Sequence, residues 1–127
     1  MTDEAGKTQT PPAAPIPIAA LASIQDFQKL AFRVGVIVAA EVHPQADRLL
    51  VIKVDLGEPT PRQVVAGIRA SYQPADLLGK QVVVVANLQP AVLRGVESQG
   101  MILAASDDSG IVVVSPQRAV KPGSTVK

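Results

Sequence analysis

Apolar and polar positions alternate with a period of two from residue 49 to residue 56. Leu50, Ile52, Val54 and Leu56 point one way, while Leu49, Val51, Lys53 and Asp55 point the other. That is a strand with one face in a core. Residues 32–42 before it are β-branched and apolar around Gly35, a glycine that predicts a bend or bulge where a sheet curls. Apolar runs at residues 63–68, 81–86, 101–105 and 111–114 read as four further strands, and turns fall at 43–47, 57–61 and 107–110. Two short helices are predicted. Ser23 caps the first, with Ile24, Phe27 and Leu30 on one face. The second spans residues 71–79, with Pro74 early and Gly79 at its end. Residues 87–100 read as a long polar loop with room for a short turn, and a Pro- and Gly-containing extension starts at Ser115. Five main strands with one helix between the third and fourth is an all-β order. It matches an OB-fold five-stranded barrel with short helices and a C-terminal extension. The alternation alone also fits another small barrel, and no internal repeat is present.

The start of the chain departs from this pattern. Residues 1–22 hold four of the 11 prolines, at Pro11, Pro12, Pro15 and Pro17. They read as an extended tail or linker, leaving residues 23–127 as the folded domain. The apolar stretch at 13–22 is broken by Pro15 and Pro17 and has no basic flank, so it suits neither an export signal nor a bilayer span. A cytoplasmic protein without membrane contact is expected.

Composition narrows the chemistry. With 47% hydrophobic and 18% charged residues, the 127-residue chain can build one packed core. It has no cysteine, which removes disulfides, thiolate metal sites and cysteine catalysis. Gly79-Lys80 lacks the phosphate-cradling loop, because Pro74 stands where a glycine is needed and Gln81 where Ser or Thr is needed. Val96 rules out a nucleophile elbow at Ser98. A Ser98–His43–Asp47 triad has no support beyond the presence of the three residues. His43 and Asp47 offer at most two metal ligands, and the plain reading is a proline-stiffened turn with a surface histidine. No catalytic residue, metal or cofactor is expected. A binding module fits better than an enzyme.

The net charge is only +1, but the tail holds Lys7 against Asp3 and Glu4, so the rest of the chain carries about +2. Arg33, Arg48, Lys53, Arg69, Lys80 and Arg94 fall near strand ends or on outward positions. They either line the ligand face of a barrel or are ordinary solvated charges. Only Phe27, Phe32 and Tyr72 are aromatic. The two phenylalanines are expected in the core and Tyr72 alone is free, so a base-stacking platform is missing. Any nucleic acid would then be read through backbone charge and shape, which favours a folded RNA over an unstructured strand. The apolar sixth strand, residues 111–114, must be covered either by a second copy or by its own barrel.

Several segments together resemble the tRNA-binding domain family. They include Phe27-Gln28-Lys29-Leu30 with Arg33-Val34-Gly35, then His43-Pro44-Gln45-Ala46-Asp47-Arg48-Leu49 and Val54-Asp55-Leu56-Gly57. Val65-Ala66-Gly67-Ile68-Arg69, Leu78-Gly79-Lys80 and Ala86-Asn87-Leu88 follow, and the series ends with residues 93–104, which contain Ser98-Gln99-Gly100-Met101. The family includes the C-terminal domains and separate beta chains of methionyl-tRNA synthetases, stand-alone structure-specific tRNA-binding proteins, and part of the endothelial monocyte-activating polypeptide.

The resemblance implies a non-catalytic homodimer that recognises the outer corner of folded tRNA by shape. It would act in aminoacylation and protein biosynthesis, as a methionyl-tRNA synthetase beta subunit beside a catalytic chain or as a free auxiliary factor. The start at Met1 fits a separate chain. Carried over by position, the tRNA-binding residues are Arg33, Arg48, Lys53, Arg69, Lys80, Asn87, Arg94, Ser98, Gln99 and Met101. Met101 is either a ligand contact or core. Many relatives carry lysine where this chain has Val36, Gln89 and Val92, and aspartate at Ala31, which implies weaker, steeply salt-sensitive binding. The alternatives are a dimerisation or docking module with a decayed RNA face, or a chaperone-like relative. Arginines 48, 69 and 94 clustered together would favour RNA; pairing with Glu41, Asp47 and Glu97 would favour docking.

Overall fold

The structure is a computed structural model and describes residues 14–127; the first part of the Pro-rich tail, residues 1–13, lies outside the described residues. A 3-10 turn, Ile18–Ala20, precedes α1, Ile24–Gln28. The strands are β1 (Phe32–Val42), β2 (Leu50–Asp55), β3 (Arg62–Ala66), β4 (Gln81–Val85), β5 (Ala91–Leu93), β6 (Val96–Ser98), β7 (Met101–Ile102), β8 (Ala104–Asp107), β9 (Gly110–Val113) and β10 (Thr125–Val126). Helix α2, Pro74–Leu77, sits between β3 and β4.

The main sheet runs β3-β2-β1-β4-β7, with β10 paired to β1. Strand β1 is long enough to serve two neighbours. Its first half pairs with β4 and its second half with β2, so the sheet coils around it. Strands β3 and β7, at the two ends of the path, lie against each other, and the sheet nearly closes into an OB-like barrel. The interior is aliphatic. Leu50, Ile52 and Val54 are fully buried, as their alternation requires, and they meet Ile37, Val64, Val82, Val84 and Leu77. Gly35 is not where the ladder shifts; the irregularity falls between Ile37 and Ala39. Gly35 instead marks a close crossing, where a Cβ would run into Val54 Cγ1 and lie 2.8 Å from Leu56 Cδ2.

Several elements differ from the sequence reading. Helix α2 is one turn, and its capping box joins Gln73 to Asp76; Ser71 instead accepts a bond from Ile111 N–H at 2.9 Å. Residues 87–100 contain an antiparallel hairpin, β5–β6. The fifth strand breaks at Leu103, and its second part, β8, pairs with β9. The sixth strand is therefore satisfied within the chain, and Val113 is buried in the core. The C-terminal extension is strapped down: Gln81 exchanges two bonds with Val120, and Val34 N–H donates to Ser124 O at 2.8 Å.

The aromatic residues also depart from expectation. Phe27 is not core: it is 42% exposed and stacks on Phe32 at a centroid distance of 5.3 Å. Tyr72 is not free, since it packs on the core and its hydroxyl accepts from Val113 N–H at 3.1 Å. Helix α1 has the predicted cap, with Ser23 and Asp26 bonding reciprocally, yet it buries no residue. Ile24, Phe27 and Leu30 face a groove of about 510 Å³ together with Val126.

Candidate nucleic-acid interface

Three predicted arginines meet at one turn. Strand β1 ends at Val42, and residues 43–47 reverse the chain into β2. Its first residue, His43, is buried rather than on the surface. His43 Nδ1 accepts from Gln45 N–H at 3.0 Å, and Nε2 lies 3.0 Å from the carbonyl of Leu93 on β5. Those partners fix the ring as the neutral tautomer with its proton on Nε2, because Nδ1 faces a donor and Nε2 an acceptor.

The hairpin above this turn reverses through Arg94 and Gly95, with φ of 53° and 88°. Two positive φ values in a two-residue loop make a type I′ turn, whose twist suits an antiparallel pair. Arg94 is the only non-glycine residue with positive φ among the described residues. The turn lets its guanidinium reach Gln45 O at 3.2 Å. From the loop after β3, Arg69 Nη1 reaches Asp47 O at 3.2 Å, and its N–H donates to Arg48 O at 3.4 Å. Arg48, Arg69 and Arg94 are all exposed. Among the described residues the ion pairs are Lys29–Asp26 and Arg62–Glu58, neither of which engages these arginines. Among the described residues the corner thus presents positive charge with no carboxylate paired to it, that of Arg69 and Arg94 aimed by main-chain carbonyls.

A strap of polar residues joins the hairpin to β3. Strand β3 ends the sheet path, so the N–H groups along its free edge need partners. Ser98 Oγ accepts from Val65 N–H at 3.0 Å and donates to Gly100 O at 2.9 Å; Ser98 is buried. Gln99 Oε1 accepts from Gln63 N–H at 3.0 Å, while Gln99 N–H donates to Gln63 O at 2.7 Å. The Gln63 amide donates to Glu97 O at 2.8 Å and accepts from Lys53 Nζ at 2.8 Å. Lys53 is thus bonded to Gln63.

The remaining predicted residues are spread out. Met101 is exposed and lines a groove of about 560 Å³ with Leu88, Leu93 and Ile68. Asn87 ties the end of β4 to the segment after α1, accepting from Ala31 N–H at 2.8 Å and donating to Lys29 O at 2.6 Å. Arg33 shares a smaller cavity of about 230 Å³ with Asn87, Glu58 and Arg62. Lys80 lies apart: it precedes Gln81, at the opposite end of β4 from the Val85–Met101 pair.

Sequence reasoning missed His43 as an organiser, and it missed Gln63 and Arg62. Arg62 takes an inward register position opposite Val54 and forms a two-pronged pair with Glu58, both contacts at 2.9 Å. It also donates to the carbonyls of Ala86 and Gln99. The hydrogen bonds from Arg62 hold the Glu58 carboxyl below the ordinary glutamate range. The Glu58–Arg62 spacing across a Pro/Gly turn was the available signal, and it is a weak one.

Comparison with known proteins shows the family of the chain. Residues 32–125 match the model of the family described as "Putative tRNA binding domain". The methionine–tRNA ligase of Thermococcus kodakarensis is 50% identical over 105 residues, covering 83% of this chain and 14% of the ligase. That of Deinococcus radiodurans is 55% identical over 98 residues, covering 77% of this chain and 14% of the ligase. The chain therefore spans only about one seventh of the curated relatives it matches. Among solved structures, a MetRS-related protein from Pyrococcus horikoshii superposes with a TM-score of 0.77 at 32% identity, covering 84% of this chain and 98% of that one. The chaperone CsaA of Bacillus anthracis does so with a TM-score of 0.77 at 29% identity, covering 85% of this chain and all of that one.

Proposed function

The chain belongs to the tRNA-binding domain family, and from that premise we propose that it binds folded tRNA at the corner where Arg48, Arg69 and Arg94 meet. It is a non-catalytic module related to the matching region of methionine–tRNA ligases. The observation that carries the proposal is that Arg69 and Arg94, both exposed and without an ion pair among the described residues, anchor on carbonyls of the turn that leads into the exposed Arg48. Arginines held by carbonyl oxygens keep their full charge and a preset direction, which suits phosphates spaced by a rigid RNA. Lys53, Gln99 and Met101 extend this face along the strap and the groove. Ser98 and Asn87 contribute by holding the backbone, because their polar atoms are engaged within the chain. Arg33 and Lys80 supply outlying charge.

The chain would act in the cytoplasm as a homodimer, with a methionyl-tRNA synthetase catalytic chain or as a free factor. The apolar face of Ile24, Phe27 and Leu30 supports self-association; the sixth strand does not, since β8 already covers it. Among the described residues no helix is long and apolar enough to cross a membrane.

Binding to a folded tRNA, the same tRNA unfolded, and a single strand of equal length, each at two salt concentrations, tests the reading. Preference for folded tRNA that weakens with salt is the expected outcome; no binding at low salt overturns it. Sedimentation of the free chain tests the homodimer. A chaperone-like reading draws on the apolar groove beside Met101. Retarded aggregation of an unfolded client, without tRNA binding, would favour it.

A further inference from the structure

His43 is the only histidine in the chain. It is 3% exposed, and nothing in the RNA-binding reading needs a buried titratable ring. Yet both of its nitrogens bridge the two elements that carry the arginine corner. Nδ1 closes the turn through Gln45 N–H, and Nε2 grips the hairpin through Leu93 O. The carbonyl of Gln45, one peptide unit beyond that bond, receives Arg94. The carbonyl of Asp47, two residues further, receives Arg69.

We infer that His43 is a positioning residue for tRNA binding and holds the arginine corner only as the neutral ring protonated at Nε2. This rests on the tRNA-binding reading. A doubly protonated ring has no acceptor, so two N–H groups would face each other where Gln45 N–H now donates. The turn must then move, and the carbonyls that aim Arg94 and Arg69 move with it. The charged groups along the elements that meet at the ring are Arg33 and Glu41 on β1, Asp47 on the turn and Arg48 just after it, Arg69 after β3, and Arg94 and Glu97 on the hairpin. Among the described residues His43 forms no ion pair with any of the acids.

The sign of the effect discriminates. A histidine that merely added positive charge would tighten RNA binding on acidification. A clamp that fails on protonation weakens it. The experiment measures the affinity of the full chain for folded tRNA at fixed ionic strength from about pH 8 to about pH 5.5. The wild type, His43→Asn and His43→Ala are compared. Wild-type affinity is expected to fall about five- to tenfold in acid, the scale of one lost hydrogen bond. Both variants should give flat profiles. His43→Asn should bind better than His43→Ala, because an asparagine oxygen can still accept from Gln45 N–H. Binding that tightens in acid, or a profile shared by wild type and variants, overturns the inference. Should the variants unfold, the wild-type profile and the ¹⁵N spectrum of its single imidazole decide: a ring carrying its proton on Nδ1 at neutral pH overturns it. Wild-type chain that ignores folded tRNA at every pH defeats the functional reading instead, and protection of the Gln45 amide from exchange then tests the clamp alone.

Discussion

Arg94 places a guanidinium N–H on the carbonyl oxygen of Gln45 at 3.2 Å, across 49 residues of sequence, from a backbone conformation with φ of 53°. An arginine in that conformation carries strain that glycine would not. The hairpin tolerates the strain while gaining a cation at its tip.

Replacing Arg94 should therefore separate stability from affinity. Arg94→Gly relieves the backbone and keeps the turn, so urea denaturation should change by less than about 1 kcal/mol. Affinity for folded tRNA should drop, and the slope of log affinity against log salt should shrink by about 0.7 to 0.9, the loss of one phosphate contact. An unchanged slope would remove Arg94 from the interface.

Ser98→Ala should behave in the opposite way. The variant orphans Val65 N–H at a buried edge, which costs about 1–3 kcal/mol. The loss should be read as a lower urea midpoint. Where the variant remains folded, tRNA affinity should fall less than in Arg94→Gly, because the hydroxyl braces the strap from within the chain.

Gly35→Ala should destabilise the barrel. The added methyl would meet Val54 and Leu56 side chains and lie 3.2 Å from Asp55 O. Overpacking of this kind costs about 1–3 kcal/mol. A thermal midpoint equal to wild type would mean that β1 and β2 can separate at their crossing.

Acid should weaken the mouth of the barrel through Glu58. Its folded value lies below the ordinary 4.5, chiefly because Arg62 donates to the carboxylate. The pair thus stabilises the fold above that ordinary value, and its contribution is lost as pH falls from 4.5 through the lower folded value. Thermal unfolding of wild type and Glu58→Gln should differ at neutral pH and converge in acid; a constant gap would contradict the linkage.

Period-two alternation of apolar residues makes the barrel legible in the sequence. Leu50, Ile52 and Val54 could point only inward, and the neighbouring strands inherited their register. The β5–β6 hairpin was not legible, because β5 is exposed along its whole length and shows no buried face to leave a period. His43 was misread for the same reason. Its Nε2 partner, the carbonyl of Leu93, belongs to that hairpin and lies 50 positions away. Phe27 is expected in the core, but α1 buries none of its residues among the described ones, and the ring stacks on Phe32 at its own half-exposed site. The arginines were located by position in the sequence, while their common anchor, the carbonyls of one turn, is a main-chain feature that side-chain identity does not reveal.

The bond between Tyr72 and the Val113 amide has an optical consequence. The chain has no tryptophan and one tyrosine, and that ring sits at the seam between the loop before α2 and strand β9. Intrinsic fluorescence therefore reports one seam, the docking of the β8–β9 hairpin on the barrel, and is blind to the arginine corner. A tryptophan introduced at Val92, an exposed position on the other hairpin, would give each hairpin its own colour.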